Sequence, residues 1–97
     1  MKSLAEITSI IQSHKSEFAE KYGVSEIGLF GSVVRGEAQE GSDLDVLVSF
    51  DRPVTLFGIM DLEFQLEELV ENRVDLVMKR SLKPRIGKHI LQEVVMI

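Results

Sequence analysis

A Gly-Ser pair and three aspartates have the types and spacing that could support chemistry on phosphate groups. Gly31 and Ser32 end one apolar run, and ten residues separate them from Asp43. Asp43 and Asp45 open a second apolar run and would share one face of a strand, about 6.5–7 Å apart. Asp75 lies inside a third apolar run that reads Val-Asp-Leu-Val-Met.

The two neighbouring aspartates are suited to bind divalent metal ions. Carboxylates held side by side repel each other, and Mg²⁺ removes this repulsion because it binds oxygen ligands and retains substrate phosphates. Asp43 and Asp45 could therefore hold one or two metals that clamp the attacking and leaving oxygens of nucleotidyl transfer. Asp75 would join them, as a ligand of the second metal or as a general base, if its strand neighbours theirs.

The Gly-Ser pair is suited to hold phosphate. Gly31 lets the backbone approach a ligand closely, and N–H groups that open a helical turn point at anions. The Ser32 hydroxyl can donate to a phosphate oxygen, and Arg35 can add a charge-assisted contact to a polyphosphate. Each feature alone is typical of a turn or a solvated surface. Their order along the chain and their positions at strand ends favour a site for metal and nucleoside triphosphate.

Composition excludes several other classes of protein. The 97 residues are enough for one domain, 1–97, with a modest core. The net charge of −5 argues against a nucleic acid as the main partner, and the absence of cysteine excludes disulfides and cysteine zinc sites. No apolar stretch approaches the ~20 residues of a membrane span, and the amphipathic start is unlike a signal peptide. We therefore expect a cytoplasmic protein that does not enter a membrane.

The periodicity of the apolar residues predicts alternating helices and strands. Three strands would form a small mixed sheet covered by helices on at least one face, which is an α+β fold. Ser3 and Glu6 form a capping-box pattern at the start of the first helix. The predicted order is helix 3–21, strand 24–30, helical turn 33–36, strand 43–50, helix 55–71, strand 74–78, basic turn 79–83 and helix 84–95.

Two further features have ordinary explanations. His14 has no second metal ligand at a suitable spacing, so we interpret it as a surface or boundary residue. A basic cluster near the third strand is interpreted as a solvated face or a contact for an acidic partner, although ATP steering or binding of an RNA end stays open. The cluster consists of Lys79, Arg80, Lys83, Arg85 and Lys88.

The run from Gly31-Ser32 through ten residues to Asp43-Leu44-Asp45 resembles the signature of the nucleotidyltransferase superfamily that includes DNA polymerase beta. The longer segments 30–36 and 41–48 resemble its minimal nucleotidyltransferase branch, small proteins usually paired with a helical HEPN-domain ribonuclease toxin. The likeness extends over nearly the whole chain, including 74–77 and 82–94. Val34 departs from the family, which often has alanine before Arg-Gly, but this difference concerns packing and not chemistry.

The resemblance implies the mixed-sheet nucleotidyltransferase fold and specific roles for the signature residues. Gly31 and Ser32 would hold the nucleotide phosphates, Asp43 and Asp45 would bind Mg²⁺, and Asp75 would be the third carboxylate. The best-understood members of the family are antitoxins that transfer AMP from ATP to a tyrosine hydroxyl of the partner toxin and so silence it. The resemblance thus implies two Mg²⁺ ions, ATP as substrate and a hetero-oligomer with a HEPN toxin.

Three functions fit the sequence. The first is Mg²⁺-dependent adenylylation of a protein hydroxyl, because so small a domain has little chain left to build a pocket for a small acceptor. The second is a non-catalytic antitoxin that occludes its toxin through the first helix and the apolar segment 94–97. The third is nucleotidyl transfer to a small molecule or an RNA end.

Overall fold

The computed structural model describes all 97 residues, and its first helix, α1, spans Leu4–Tyr22. The Ser3 hydroxyl accepts the Glu6 N–H at 3.1 Å, and the Glu6 carboxylate accepts the Ser3 N–H at 3.2 Å. This is the predicted capping box. Gly23 ends α1 in the left-handed conformation, with φ +78°. Helix α1 buries the apolar residues that its periodicity selected, including Ile7, Ile11 and Phe18.

The elements that follow α1 have the predicted order, with boundaries close to the predicted ones. The last predicted helix is the exception, because it ends earlier than expected and a strand follows it. The remaining elements are β1 Val24–Phe30, α2 Ser32–Arg35, β2 Leu44–Phe50, α3 Leu56–Val70, β3 Val74–Met78, a 3₁₀ turn Lys79–Ser81, α4 Pro84–Glu93 and β4 Val95–Met96.

The prediction of three strands was wrong by one strand, since the sheet has four. Residues Val95 and Met96 were assigned to the end of a helix or to free surface, but they pair antiparallel with Leu29 and Gly28 of β1. The outer edge of β1 carries unpaired backbone groups, and this short apolar segment satisfies them. Such a pairing is long-range and leaves no signal in the local periodicity.

The strands lie in the order β3-β2-β1-β4. The β1–β2 pair is antiparallel, and the β2–β3 pair is parallel with α3 as the crossover helix. In the parallel register Asp45 lies opposite Asp75. Residues that are paired in this way project from the same face of the sheet. The strand of Asp75 therefore neighbours the strand of Asp45, as the sequence analysis required for Asp75 to join the other aspartates.

Helices α1 and α3 cover one face of the sheet and form a single core with it. Leu44, Val46 and Val48 are fully buried in this core, as their alternation predicted, whereas Phe50 is only half-buried. Full burial of each such side chain contributes about 1.5–3 kcal/mol. The core therefore anchors β2 firmly, and the opposite face of the same strand carries Asp45.

Several apolar side chains of α3 stay exposed outside this core. They are Leu56, Phe57, Met60 and Phe64. His14 is half-buried in α1, with Nδ1 2.9 Å from the Ile10 carbonyl oxygen, which agrees with a boundary position. None of the helices has both the length and the apolar character that crossing a membrane requires.

Candidate functional site

The Gly-Ser pair and the first aspartate pair meet at one end of the sheet. Phe30, the last residue of β1, lies opposite Asp45 of β2, so Gly31 follows directly beside the Asp45 side chain. A Cβ atom built on Gly31 would lie 2.1 Å from Asp45 Oδ2, and Gly31 has φ +80°. Both the space and the backbone conformation therefore require glycine. The two halves of the signature are in direct contact.

The three predicted carboxylates lie at one end of neighbouring strands, but they are not gathered into a finished metal site. Asp45 is half-buried, whereas Asp43 and Asp75 are exposed. The Asp43 carboxylate lies 3.1 Å from Nη2 of Arg73 in an ion pair. No group of three or more acidic or histidine side chains converges closely enough to hold a metal ion. The roles of these carboxylates as ligands stay predictions.

The electrostatics around Asp45 favour a cation. Burial raises the pKa of the Asp45 carboxyl, and the charges of Asp75 and Asp43 raise it further, while Arg35 partly opposes them. A divalent ion would relieve this repulsion. Mg²⁺ in nucleotide enzymes usually needs only one or two carboxylates together with water and phosphates. The chemistry of these donors therefore fits Mg²⁺.

Arg35 lies at the site, where two carboxylates hold it. Its Nε is 2.5 Å from Glu37 Oε1, and its Nη1 is 2.6 Å from Glu93 Oε1. The second oxygen of Glu93 accepts the Gly31 N–H at 2.8 Å. These contacts lower the pKa of the Glu93 carboxyl, first through Arg35 and then through the Gly31 N–H. The Gly-Ser turn, Arg35 and the end of α4 thus form one hydrogen-bonded unit.

Ser32 opens the short helix α2, which spans Ser32–Arg35. The first N–H groups of a helix have no carbonyl partner within that helix. Glu93 takes the N–H of Gly31, and the N–H groups of Ser32 and Val33 follow it at the start of α2. The backbone here can therefore offer donors to an anion beside the Asp45 carboxylate.

An open cleft of about 520 Å³ lies between this end of the sheet and α4. Its volume is within the range of small-molecule sites, about 300–1,000 Å³. The lining includes three of the predicted site residues, Gly31, Arg35 and Asp45. Ser32, Asp43 and Asp75 do not line it. The other lining residues are Phe30, Ile86, His89, Ile90 and Glu93.

Glu93 and His89 of α4 also line the cleft, and neither was predicted from the sequence. His89 is a lone exposed histidine, and no local pattern marks it. Glu93 is one of many acids in the chain, and only its distance to Gly31 and Arg35 reveals it. The basic cluster lies outside the cleft: Lys79 pairs with Glu26 at 3.3 Å, and the other members are exposed.

Comparison with known proteins agrees with this geometry. The sequence profile of the nucleotidyltransferase domain matches residues 11–97. The chain is also 55% identical over 95 residues to the protein adenylyltransferase MntA of Thermococcus cleftensis, and the match covers 98% of this chain and 96% of that protein. These similarities extend over almost the entire sequence, and the profile match spans the positions of the signature, 31–45.

Solved structures have the same fold. A minimal nucleotidyltransferase matches with a TM-score of 0.83 and 38% identity, covering 97% of this chain and 95% of that one. A toxin–antitoxin with AMP-PNP matches with a TM-score of 0.70 and 21% identity, covering 95% and 69%. A tri-AMPylated Shewanella oneidensis HEPN toxin in complex with an MNT antitoxin matches with a TM-score of 0.67 and 18% identity, covering 93% and 70%. The contact between Gly31 and Asp45 fits these similarities. The matched domain profile and the MntA relative show that this chain belongs to the nucleotidyltransferase domain family.

Proposed function

We propose that the protein is a Mg²⁺-dependent protein adenylyltransferase that acts as an antitoxin, transferring AMP from ATP to a tyrosine hydroxyl of a partner HEPN toxin. The relative from Thermococcus cleftensis is named a protein adenylyltransferase, and the Shewanella complex contains an AMPylated HEPN toxin. The observation that supports the proposal most is the contact between Gly31 and Asp45. The residues expected to hold phosphate and metal are side by side.

Each signature residue has a definite task in this proposal. Gly31 and Ser32 form the turn that binds the phosphates of ATP, through the Ser32 backbone N–H and hydroxyl, while the Gly31 N–H stays bound to Glu93, and Arg35 adds positive charge. Asp43 and Asp45 would hold Mg²⁺, and Asp75 would complete the set either as a ligand of a second Mg²⁺ ion or as the general base. When bound, the metal neutralises charge on the triphosphate and on the leaving pyrophosphate.

The transfer is an in-line displacement. The tyrosine oxygen forms a bond to the α-phosphorus of ATP, the bond from that phosphorus to the bridging oxygen breaks, and pyrophosphate leaves. The hydroxyl proton must pass to a base, and the exposed carboxylate of Asp75 beside Asp45 is a candidate for this task. The open cleft suits an acceptor that brings its own surface, which favours a protein over a small molecule.

The proposal is tested by incubating the protein with labelled ATP, Mg²⁺ and the HEPN protein proposed as its partner, followed by intact-mass measurement. We expect the HEPN protein to gain one or more AMP units. The Asp43→Asn plus Asp45→Asn variant should abolish the gain without unfolding the protein. Asp51→Asn, an exposed acid at the far end of β2, is the matched control and should transfer normally. Absence of any mass change, together with a tight complex, would contradict the proposal.

A non-catalytic antitoxin is the second candidate, favoured by the exposed apolar side chains of α3. Such a protein would silence its toxin by covering it. The Asp43→Asn plus Asp45→Asn variant separates the two functions in a toxin-growth assay. An enzyme would lose silencing, whereas an occluding binder would keep it. Transfer to a small molecule or an RNA end stays a third possibility, tested by replacing the HEPN protein with those acceptors.

A further inference from the structure

We propose that Glu93 is a positioning residue of the nucleotide site, which holds the Gly31 backbone and the Arg35 guanidinium in the arrangement that receives the phosphates of ATP. The inference rests on the proposed function, because it assigns Glu93 a role in that same site. Glu93 belongs to α4 and is remote in sequence from the Gly-Ser and Asp-x-Asp signature.

The Glu93 carboxylate joins two parts of the site with separate oxygens. Oε2 accepts the Gly31 N–H at 2.8 Å, and Oε1 accepts from Arg35 Nη1 at 2.6 Å. The Glu93 side chain is only 22% exposed. Both bonds have an ionised acceptor, and the bond from Gly31 is partly buried, so they are stronger than neutral surface hydrogen bonds. Glu93 can therefore restrain Gly31 and Arg35 together.

The element that carries Glu93 is itself anchored to the site. Glu93 is the last residue of α4, and only Val94 separates it from the start of β4. Val95 of β4 pairs with Leu29 of β1, only two residues before Gly31. Glu93 is thus tied to the strand whose end carries the Gly-Ser pair. Loss of its carboxylate would free the Gly31 peptide from this support.

The restraint leaves Arg35 able to bind a ligand. A guanidinium has five N–H donors, and the contacts with Glu37 and Glu93 involve Nε and Nη1. The Nη2 group is not engaged by either carboxylate and is free to donate to a phosphate oxygen. Glu37 is exposed, whereas Glu93 lines the cleft, so Glu93 should have the larger influence on the position of the guanidinium.

The opposite role for Glu93 would be competition with the nucleotide for the same donors. The two roles predict opposite changes in ATP affinity when the Glu93 carboxylate is removed. Removal of a competitor strengthens ATP binding, whereas removal of a positioning residue weakens it. Titration calorimetry of ATP with Mg²⁺ measures this directly, without the HEPN protein. Steady-state AMP transfer to the HEPN protein adds KM for ATP and kcat.

The variants are Glu93→Ala, Glu93→Gln, Arg35→Ala and the double variant Glu93→Ala plus Arg35→Ala. We expect Glu93→Ala to raise Kd and KM for ATP about 10-fold with a smaller change in kcat. Glu93→Gln should recover part of this loss, because the amide oxygen can still accept the Gly31 N–H. The double variant should lose less than the product of the two single losses, because Glu93 acts partly through Arg35. Gln92→Ala, at the exposed neighbouring position of α4, should leave Kd unchanged.

Tighter ATP binding by Glu93→Ala would overturn the inference and identify Glu93 as a competitor of the nucleotide. Unchanged binding by both Glu93 variants would overturn it too. If Glu93→Ala does not fold by circular dichroism, Glu93→Gln decides, since a weakened Kd is still expected of it. Wild-type protein that binds no ATP would instead overturn the proposed function, and the inference with it.

Discussion

Gly31 is the residue on which the geometry of the site depends most. Its α-carbon faces the Asp45 carboxylate with no room for a side chain, and its backbone has a positive φ of +80° with ψ −152°. Its N–H is bound by Glu93. Gly31 therefore contacts both the expected metal ligand Asp45 and Glu93 of α4, and it belongs to the turn that is expected to bind phosphate. Only glycine fits this position.

We expect Gly31→Ala to abolish AMP transfer and to lower the free energy of unfolding. The added Cβ would lie 2.1 Å from Asp45 Oδ2 and would displace that carboxylate. Gly36→Ala is the control for a positive φ without a close contact, because Gly36 has φ +73° and ψ 23° with nothing within 4 Å of its added Cβ, whereas Gly31 has ψ −152°. The control should cost only the backbone strain, about 1–2 kcal/mol. Urea unfolding of both variants measures the difference, and equal losses would contradict the close contact.

Asp45→Asn should stabilise the metal-free protein at neutral pH. The pKa of Asp45 is raised in the folded state, first by burial and then by Asp75 and Asp43, so its ionised form favours unfolding. This cost is present above the raised pKa and disappears as the pH falls below it. Asp45→Asn should therefore raise the Tm at pH 7, and this gain should vanish in acid.

The matched control for this comparison is Asp51→Asn. Asp51 is an exposed acid just beyond the other end of β2, away from Asp45, so its replacement should give no stabilisation. Thermal unfolding of the wild type and both variants in EDTA, across a pH series, tests the pair. An equal Tm gain in both variants at pH 7 would contradict the prediction. It would show that the gain of Asp45→Asn does not come from the burial of Asp45 and the negative charge around it.

At the scale of elements, the C-terminal unit of α4 and β4 closes the site. Helix α4 brings Ile86, His89, Ile90 and Glu93 to the cleft, and β4 attaches that helix to β1. The close passage depends on Gly28. A Cβ at Gly28 would lie 2.8 Å from both Met96 Sδ and Val94 Cγ2. The strand that leads into Gly31 therefore also has the small residue that admits this unit.

We expect Gly28→Val to displace β4 and to weaken ATP binding while the core stays folded. The new side chain would occupy the space of Met96 and Val94, and Glu93 would lose its anchor. Ser25→Val is the control, since Ser25 lies exposed on the same strand. Amide hydrogen exchange should show faster exchange at 95–97 in Gly28→Val only. Normal ATP affinity in that variant would argue against a supporting role for β4.

At the scale of the whole molecule, the charge of the protein opposes its proposed substrate. The net charge is −5, and carboxylates at Asp43, Asp45, Asp75 and Glu93 lie at or near the cleft. ATP is also anionic, so the two would repel each other in the absence of metal. A divalent cation is the means by which such a surface can accept a nucleotide.

ATP should therefore raise the Tm strongly with Mg²⁺ and weakly in EDTA. A ligand at 100 times its Kd stabilises by about 2.7 kcal/mol, which is roughly 10–20 °C for a domain of this size. Differential scanning fluorimetry measures both shifts, with Mg²⁺ alone as the control. An equal shift in EDTA would contradict the requirement for metal.

Most of the architecture was predictable from the sequence because its causes are local. The capping box of Ser3 and Glu6, the apolar periodicity of α1 and the alternation within β2 each act over a few residues. The Gly-Ser and Asp-x-Asp signature is likewise two short segments. These features determined the α+β class, the order of elements through α4 and the family, and the structure and the comparisons confirm them.

The tertiary structure alone decided how distant segments meet. The register of Asp45 with Asp75, the ion pair of Asp43 with Arg73 and the addition of β4 all depend on pairing across the sheet. Glu93 reaches Gly31 across 62 positions of sequence, and no periodicity marks such a contact. Local preferences select the elements, but the burial of one shared core selects which ends of those elements come together. The sequence therefore determined the signature, and the packed fold determined what surrounds it.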